Sequence, residues 1–254
     1  MRPLTLTGLP GIPEIESGAP LASFIIDAVG RAELRLEPGD VLVIAQKIIS
    51  KAEGRRVRLA DVIAGRRAVE LAAIVDKDPR LVELMLRESQ EVLRAKPNVL
   101  IVEHRLGFVM ASAGIDQSNV PREGDEACVL LLPEDPDASA RRLRDALRET
   151  CGVDVGVVIN DSFGRAWRNG VTGVAIGVAG IPAVVDLRGA PDRNARPLEV
   201  TMVAAADELA AAASLVMGQR DEGVPAVHAR GFPYAARESS VQELLRPRAE
   251  DLFR

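Results

Sequence analysis

Apolar residues in this chain gather in short dense runs set off by turn residues. Val41-Leu42-Val43-Ile44-Ala45 follows the turn Pro38-Gly39-Asp40 and reads as a buried strand, as does Val155-Gly156-Val157-Val158-Ile159. The runs 99–102 and 108–111 flank a turn containing Gly107 and predict a hairpin. Short strands are predicted at 174–178 and 183–185, on either side of Gly180-Ile181-Pro182. Helical spacing takes over after Asp78-Pro79, an N-cap with proline at the first helical position. Leu81, Val82, Met85, Leu86, Val92 and Leu93 share a face there, opposite Arg80, Glu83, Arg87 and Glu91, which predicts a helix over 79–93. Asp135-Pro136 opens a second helix reaching about residue 150. An alanine-rich third runs from about 201 to a C-cap at Gly218, with Asp207 and Glu208 on its wet edge. Strands and helices alternate without a regular βαβ beat. The predicted class is therefore α+β, with mixed sheets and packed helices, rather than a doubly wound sheet.

Composition narrows the function. At 254 residues, with 47% hydrophobic and 27% charged residues, the chain is an ordinary globular protein. A net charge of −5 and 3% aromatic residues argue against nucleic acid as a partner, since both a basic face and stacking platforms are lacking. The most apolar long stretch, 200–217, is mostly alanine and broken by Asp207-Glu208, so no membrane span is predicted. The N-terminus carries no signal-peptide pattern, and the expected location is cytoplasmic. Cys128 and Cys151 allow at most one bridge and form no C-x-x-C metal site.

Candidate chemistry lies where strands end. Asp161 directly follows 155–159, and Asp116 stands five residues beyond the second hairpin strand. Carboxylates held at a sheet margin suit a hard divalent cation, and equally suit turn formation or helix capping. Gln46, Lys47 and Lys51 follow the 41–45 strand, where lysines serve as point-charge partners for phosphate or as a solvated turn. Gly11-Ile12-Pro13-Glu14-Ile15 brings backbone N–H groups toward a ligand or forms an ordinary turn, and the 218–223 loop wraps a ligand or simply stops a helix. Arg87, Glu88, Arg165 and Arg168 suit an anionic substrate or surface ion pairs. His104 and His228 read as structural. Neither G-x-x-x-x-G-K-[ST] nor G-x-G-x-x-G occurs, so no P-loop or Rossmann fingerprint is present.

Five motifs occur in a telling order: Gly11-Ile12-Pro13-Glu14-Ile15; Ile49-Ser50-Lys51-Ala52-Glu53-Gly54; Ala113-Gly114-Ile115-Asp116 with Ser118-Asn119-Val120; Asp161-Ser162-Phe163-Gly164-Arg165; and Met217-Gly218-Gln219 through Gly223-Val224-Pro225-Ala226. Together they resemble the coenzyme F420-0:L-glutamate ligase family, also called F420 γ-glutamyl ligases, from about residue 6 to 231. The resemblance implies an α+β fold without a P-loop and an intertwined homodimer. It also implies one ligase module over 1–254, without the nitroreductase-like C-terminal domain that some relatives carry.

The implied reaction joins L-glutamate to the lactyl carboxylate of coenzyme F420-0 by an amide bond, converts GTP to GDP and phosphate, and extends to a second, γ-linked glutamate. The implied cofactors are Mg²⁺ or Mn²⁺, as a pair of divalent ions, and K⁺. Asp116, Asp161 and Lys51 are the implied catalytic residues, and Asp116, Asp161, Ser162 and Gln219 the metal set. Nucleotide contacts are implied for Ile12, Pro13, Glu14, Ile15, Gln46, Lys47, Lys51 and Asn119. They are implied too for Leu215, Val216, Met217, Gly218, Gln219, Arg220, Asp221 and Glu222. Two departures stand out: Gln46-Lys47 replaces Ser-Thr of some archaeal members, and Gln219 replaces a Glu. The rival readings are a GTP- and metal-dependent ligase of another carboxylate and a non-catalytic nucleotide-binding dimer.

Overall fold

The protein's structure, a computed structural model, describes residues 3–118 and 126–251. From the N-terminus the chain forms β1 (Thr5–Gly8), α1 (Leu21–Arg31), β2 (Val41–Ala45), α2 (Gln46–Ala52), β3 (Arg56–Arg58), α3 (Arg66–Val75) and α4 (Pro79–Arg87). Next come β4 (Ser89–Lys96), β5 (Val99–His104), β6 (Val109–Ala111), β7 (Cys128–Leu130) and α5 (Pro136–Cys151). The last third holds β8 (Gly156–Arg165), β9 (Arg168–Ala179), β10 (Val185–Asp186), β11 (Met202–Val203), α6 (Ala205–Met217) and β12 (Ala226–Arg230). Among the described residues no helix is long and apolar enough to cross a membrane.

The central sheet has the order β1-β12-β2-β8-β9. Only β2 and β8 are parallel, in register from Val41↔Gly156 to Ala45↔Asn160. This sheet is covered on both faces, which is why β2 and the first half of β8 read as unbroken apolar runs. Leu42, Ile44, Val157 and Ile159 pack with Ile25 of α1, Ile48 and Ile49 of α2, and Leu143 and Leu147 of α5. Val41, Val43 and Val158 face the other way, against Leu209, Ala210 and Ala213 of α6. Alanine lets α6 lie close. A Cβ added at Gly173 of β9 would stand 2.4 Å from the Ala210 carbonyl oxygen and 2.1 Å from Ser214 Oγ. A second core gathers Leu59, Leu81, Met85, Leu100, Val102 and Val129, from α4, the β4-β5-β6 sheet and the β3–β7 pair.

Several predicted elements change extent. The helix from Asp78 ends at Arg87, and Val92 and Leu93 lie in β4, paired antiparallel to β5. The register shifts in β4, one of them between Val92 and Arg94, break the alternation that would mark a strand. The 155–159 strand continues to Arg165, and 174–178 is the buried end of the twelve-residue β9. The outer halves of both strands are polar because they form an exposed hairpin. Of 183–185 only Val185 is in a strand, β10, which ends at Asp186. The alanine-rich helix starts at Ala205. Asp207 is not on its wet edge: it accepts the Ala175 N–H at 2.9 Å, and burial raises its carboxyl above the usual range. The N-caps Asp78 and Asp135 accept N–H groups of Arg80 and Ala138, as their positions predict.

Asp40, just before β2, is 2% exposed and forms the sheet's main polar anchor. Its Oδ2 lies 2.8 Å from Nε2 of buried His228, and Arg230 donates to Oδ1 at 2.9 Å and to Oδ2 at 2.7 Å, both partners on β12. Burial alone would raise this carboxyl, but the Arg230 and His228 bonds outweigh it and hold it below the usual range. Ionised Asp40 therefore stabilises the fold above its unfolded pKa, and that contribution is lost as pH falls through the folded value. Replacing Asp40 by Asn is expected to cost about 3 kcal/mol at pH 7, by stranding Arg230 and His228. It should also flatten the acid side of the stability curve. Denaturant unfolding of both proteins between pH 7 and pH 3 measures the two effects, and parallel curves would contradict the assignment.

Candidate active site

Parallel pairing sends the carboxyl ends of β2 and β8 to the same sheet edge. β2 runs straight into α2, whose first residues are Gln46 and Lys47, while β8 carries Asn160, Asp161 and Ser162 past the core. Side chains alternate along β8. Asn160 turns to α6, donating to Ser214 Oγ at 3.0 Å, and Ser162 donates to Gln219 Oε1 at 2.9 Å. Asp161 lies between them on the face that α2 covers. The strand therefore does not end before Asp161, as its apolar run suggests; it emerges from the core there.

Asp116 arrives from the second core. Its backbone exchanges hydrogen bonds with Leu130 of β7, at 2.9 and 2.8 Å. The turn before it holds Ser112 (φ 54°) and Ala113 (φ 52°) in the left-handed region, a conformation non-glycine residues adopt at a cost. Asp116 Oδ1 accepts from the Ser118 N–H (2.7 Å) and hydroxyl (2.8 Å), and Oδ2 pairs with Lys47 Nζ at 2.6 Å. Lys47 also donates to Ser118 Oγ at 2.8 Å. Burial, reinforced by the Asp116 charge, pushes the Asp161 carboxyl up to about 7, against the hydrogen bond from Ser162 N–H and the Lys47 charge. The two aspartates thus feel each other across a pocket of about 270 Å³ that both line, with Lys47, Ser162 and Gln219.

A larger cleft of about 410 Å³ adjoins it through Lys47, Asp161, Ser162 and Gln219. One wall is Ile12, Pro13, Glu14 and Ile15; the floor is Gln46, Lys47 and Lys51; the far wall is the loop from Met217 through Glu222. Lys51 Nζ donates to Glu14 Oε1 at 2.5 Å, tying floor to wall. Gln46, 2% exposed, accepts from Ser50 Oγ at 2.9 Å. Gly218 ends α6 with φ 74°, a left-handed turn suited to glycine, and the Glu222 carboxylate folds back so closely that a Cβ on Gly218 would stand 2.1 Å from its carboxyl carbon. Backbone N–H groups, first that of Arg220, hold the Glu222 carboxyl below its usual range.

Most of the described candidate residues converge here, and two do not. Leu215 is 89% exposed and Val216 packs against the α6-side core, because only Met217 of the last helical turn faces the cleft. Asn119 lies outside the described residues. Of the other candidates, Arg87 pairs with Glu83, and Glu88 is held by Arg55 and Arg105 away from the cleft. His104 and His228 are buried beside carboxylates of those structural clusters. Two participants escaped sequence reasoning. Asn160 lines the cleft while 4% exposed, and its signal is a lone amide closing an apolar strand. Ser118, bonded to both Lys47 and Asp116, gives no signal beyond its place two residues after the aspartate.

Among the described residues no three His, Cys, Asp or Glu side chains converge as a metal cluster. The donor set at this edge is the carboxylates of Asp116 and Asp161, the hydroxyls of Ser118 and Ser162, and the amide oxygen of Gln219.

Residues 11–231 match the family model described as F420-0:Gamma-glutamyl ligase. The chain is 46% identical over 253 residues to the coenzyme F420:L-glutamate ligase of Methanothermobacter thermautotrophicus, covering 99% of each chain. It is 45% identical over 244 residues to the protein of that name from Archaeoglobus fulgidus, covering 96% of this chain and 94% of the relative. With the Haloarcula marismortui protein of that name the identity is 41% over 250 residues, covering 96% and 93%. With its motifs in order and its whole length matched, the chain belongs to the F420-0:gamma-glutamyl ligase family.

Proposed function

We propose that this protein joins L-glutamate to coenzyme F420-0 through an amide bond, with GTP converted to GDP and phosphate. The names of the relatives support the two substrates. The observation that carries the chemistry is the meeting of Asp116 and Asp161 beside Lys47, at the end of a cleft bordered by a glycine-hinged loop.

A carboxylate is a poor acyl donor. In this reading the lactyl carboxylate of F420-0 attacks the γ-phosphorus of GTP, GDP leaves, and an acyl phosphate forms. The amine of glutamate then attacks the acyl carbon, phosphate departs, and the amine gives up a proton as the amide closes. The side chains at hand suit a hard divalent cation, Mg²⁺ or Mn²⁺. Asp116, Asp161, Ser162 and Gln219 offer oxygen only, and the two carboxylates that line one small pocket suit a cation between them. When bound, such an ion neutralises charge on the transferring phosphoryl group. Lys51 acts as a charge clamp on the polyphosphate, released to it from Glu14, and the Gly218–Gly223 loop closes over the nucleotide. A second divalent ion, stimulation by K⁺, a homodimer, one ligase module over 1–254 and further γ-linked glutamate belong to the same reading.

Incubation with GTP, Mn²⁺, glutamate and F420-0 is expected to release phosphate and give a product heavier by one glutamyl unit, read by mass spectrometry. Phosphate release with some other acid alone would point to a different ligase, and nucleotide binding without turnover to a sensor. Asp161→Asn is expected to leave the far-UV spectrum and unfolding midpoint unchanged while lowering kcat at least about a hundredfold. Near-normal turnover in the folded variant would remove this aspartate from the chemistry.

A further inference from the structure

Beyond Asp161 and Ser162 the β8–β9 hairpin keeps going. Phe163 and Gly164 line the pocket that Asp116 shares, and the strands then run free to a turn at Ala166 and Trp167, between the paired residues Arg165 and Arg168. Four residues of strand set this tip about 13 Å from Asp161. Trp167 is the one tryptophan of the sequence and is 88% exposed. It holds φ at 65°, in the left-handed region, where a bulky side chain is a strained choice. No hydrogen bond or ion pair engages the side chain of Arg165 or Arg168 among the described residues, whereas most other described arginines are tied to carboxylates. Asn169 and Gly170 bulge out of the ladder next to them, re-aiming the tip.

An exposed indole between two free guanidiniums, on the strand that carries a candidate phosphoryl-transfer residue, is a costly arrangement for bare solvent. Strain of this kind gathers at ligand clamps. The indole face takes a planar ring by stacking, and the guanidiniums take carboxylate or phosphate. We propose that the hairpin tip is the platform for the acid substrate: Trp167 stacks on its ring system, and Arg165 and Arg168 pair with its anionic groups, while its reacting carboxylate reaches back toward Asp161. This assignment rests on the ligase reading above, and it commits to an anionic aromatic coenzyme rather than to a second copy of the chain.

Steady-state kinetics of the full chain test it. Trp167→Leu is expected to raise KM for F420-0 about tenfold, with a smaller change in kcat and none in KM for GTP. Trp167→Phe, which keeps a stacking ring, should recover most of the loss. The double substitution Arg165→Ala with Arg168→Ala should raise the same KM and weaken its dependence on salt. In the wild type, emission from the single tryptophan should quench saturably as F420-0 is added without GTP. Turnover of F420-0 with KM unchanged in all three variants overturns the platform and leaves the ligase reading standing. Quenching without any turnover does the reverse. A Trp167→Leu protein that shifts its oligomeric state on gel filtration, with KM for F420-0 unchanged, makes the tip a contact between copies and also overturns the proposal.

Discussion

One pairing decides where chemistry can occur in this molecule: the parallel ladder between β2 and β8. Antiparallel neighbours would send the ends of these strands to opposite margins. Parallel, and in register from Val41↔Gly156 to Ala45↔Asn160, they deliver the start of α2 and the Asp161 carboxylate to one edge. Apolar side chains cover both faces of the pair and keep it inside the core. The edge itself is a gap between two cores. Asp161 leaves the first and Asp116 the second, so the distance between the carboxylates is set by how the β3–β7 pair docks behind α2.

Charge at that edge is nearly self-balanced. Lys47 answers Asp116 and Lys51 answers Glu14, while burial, reinforced by the Asp116 charge, raises the Asp161 carboxyl. Surface ion pairs of this sort contribute little to stability. Their value here is positional, since each lysine is held beside the cleft by its carboxylate partner. Asn160 adds the remaining constraint by tying β8 to the last turn of α6, next to the loop that borders the cleft.

The parts of the fold buried on two faces were legible from the chain alone. β2 and the inner half of β8 are pure apolar runs, and α4 and α5 announce themselves with Asp-Pro caps whose hydrogen bonds are in place. Elements without caps were silent: α1 begins at Leu21 after Pro20, and α2 begins directly from a strand, neither with a side-chain cap. β4 passed for helix because Val92 and Leu93 extend the helical stripe, while the register shift between Val92 and Arg94 breaks the alternation that would mark a strand. The outer β8–β9 hairpin passed for loop because half-exposed polar strands carry no hydrophobic signature. For the site, each motif alone was ambiguous, and only their order pointed to a family. The Lys47–Asp116 pair joins residues far apart in sequence, so local pattern could not reveal it.

The Asp40 cluster holds one end of β2 as firmly as the cleft needs the other. Five residues of extended chain join a clamped carboxylate to the first turn of α2, a rigid ruler about 17 Å long. A single-residue insertion or deletion there would flip every later side chain to the wrong face and displace Lys47 and Lys51 together. The mostly exposed connection between β10 and β11 is the contrasting case, where added residues disturb neither core.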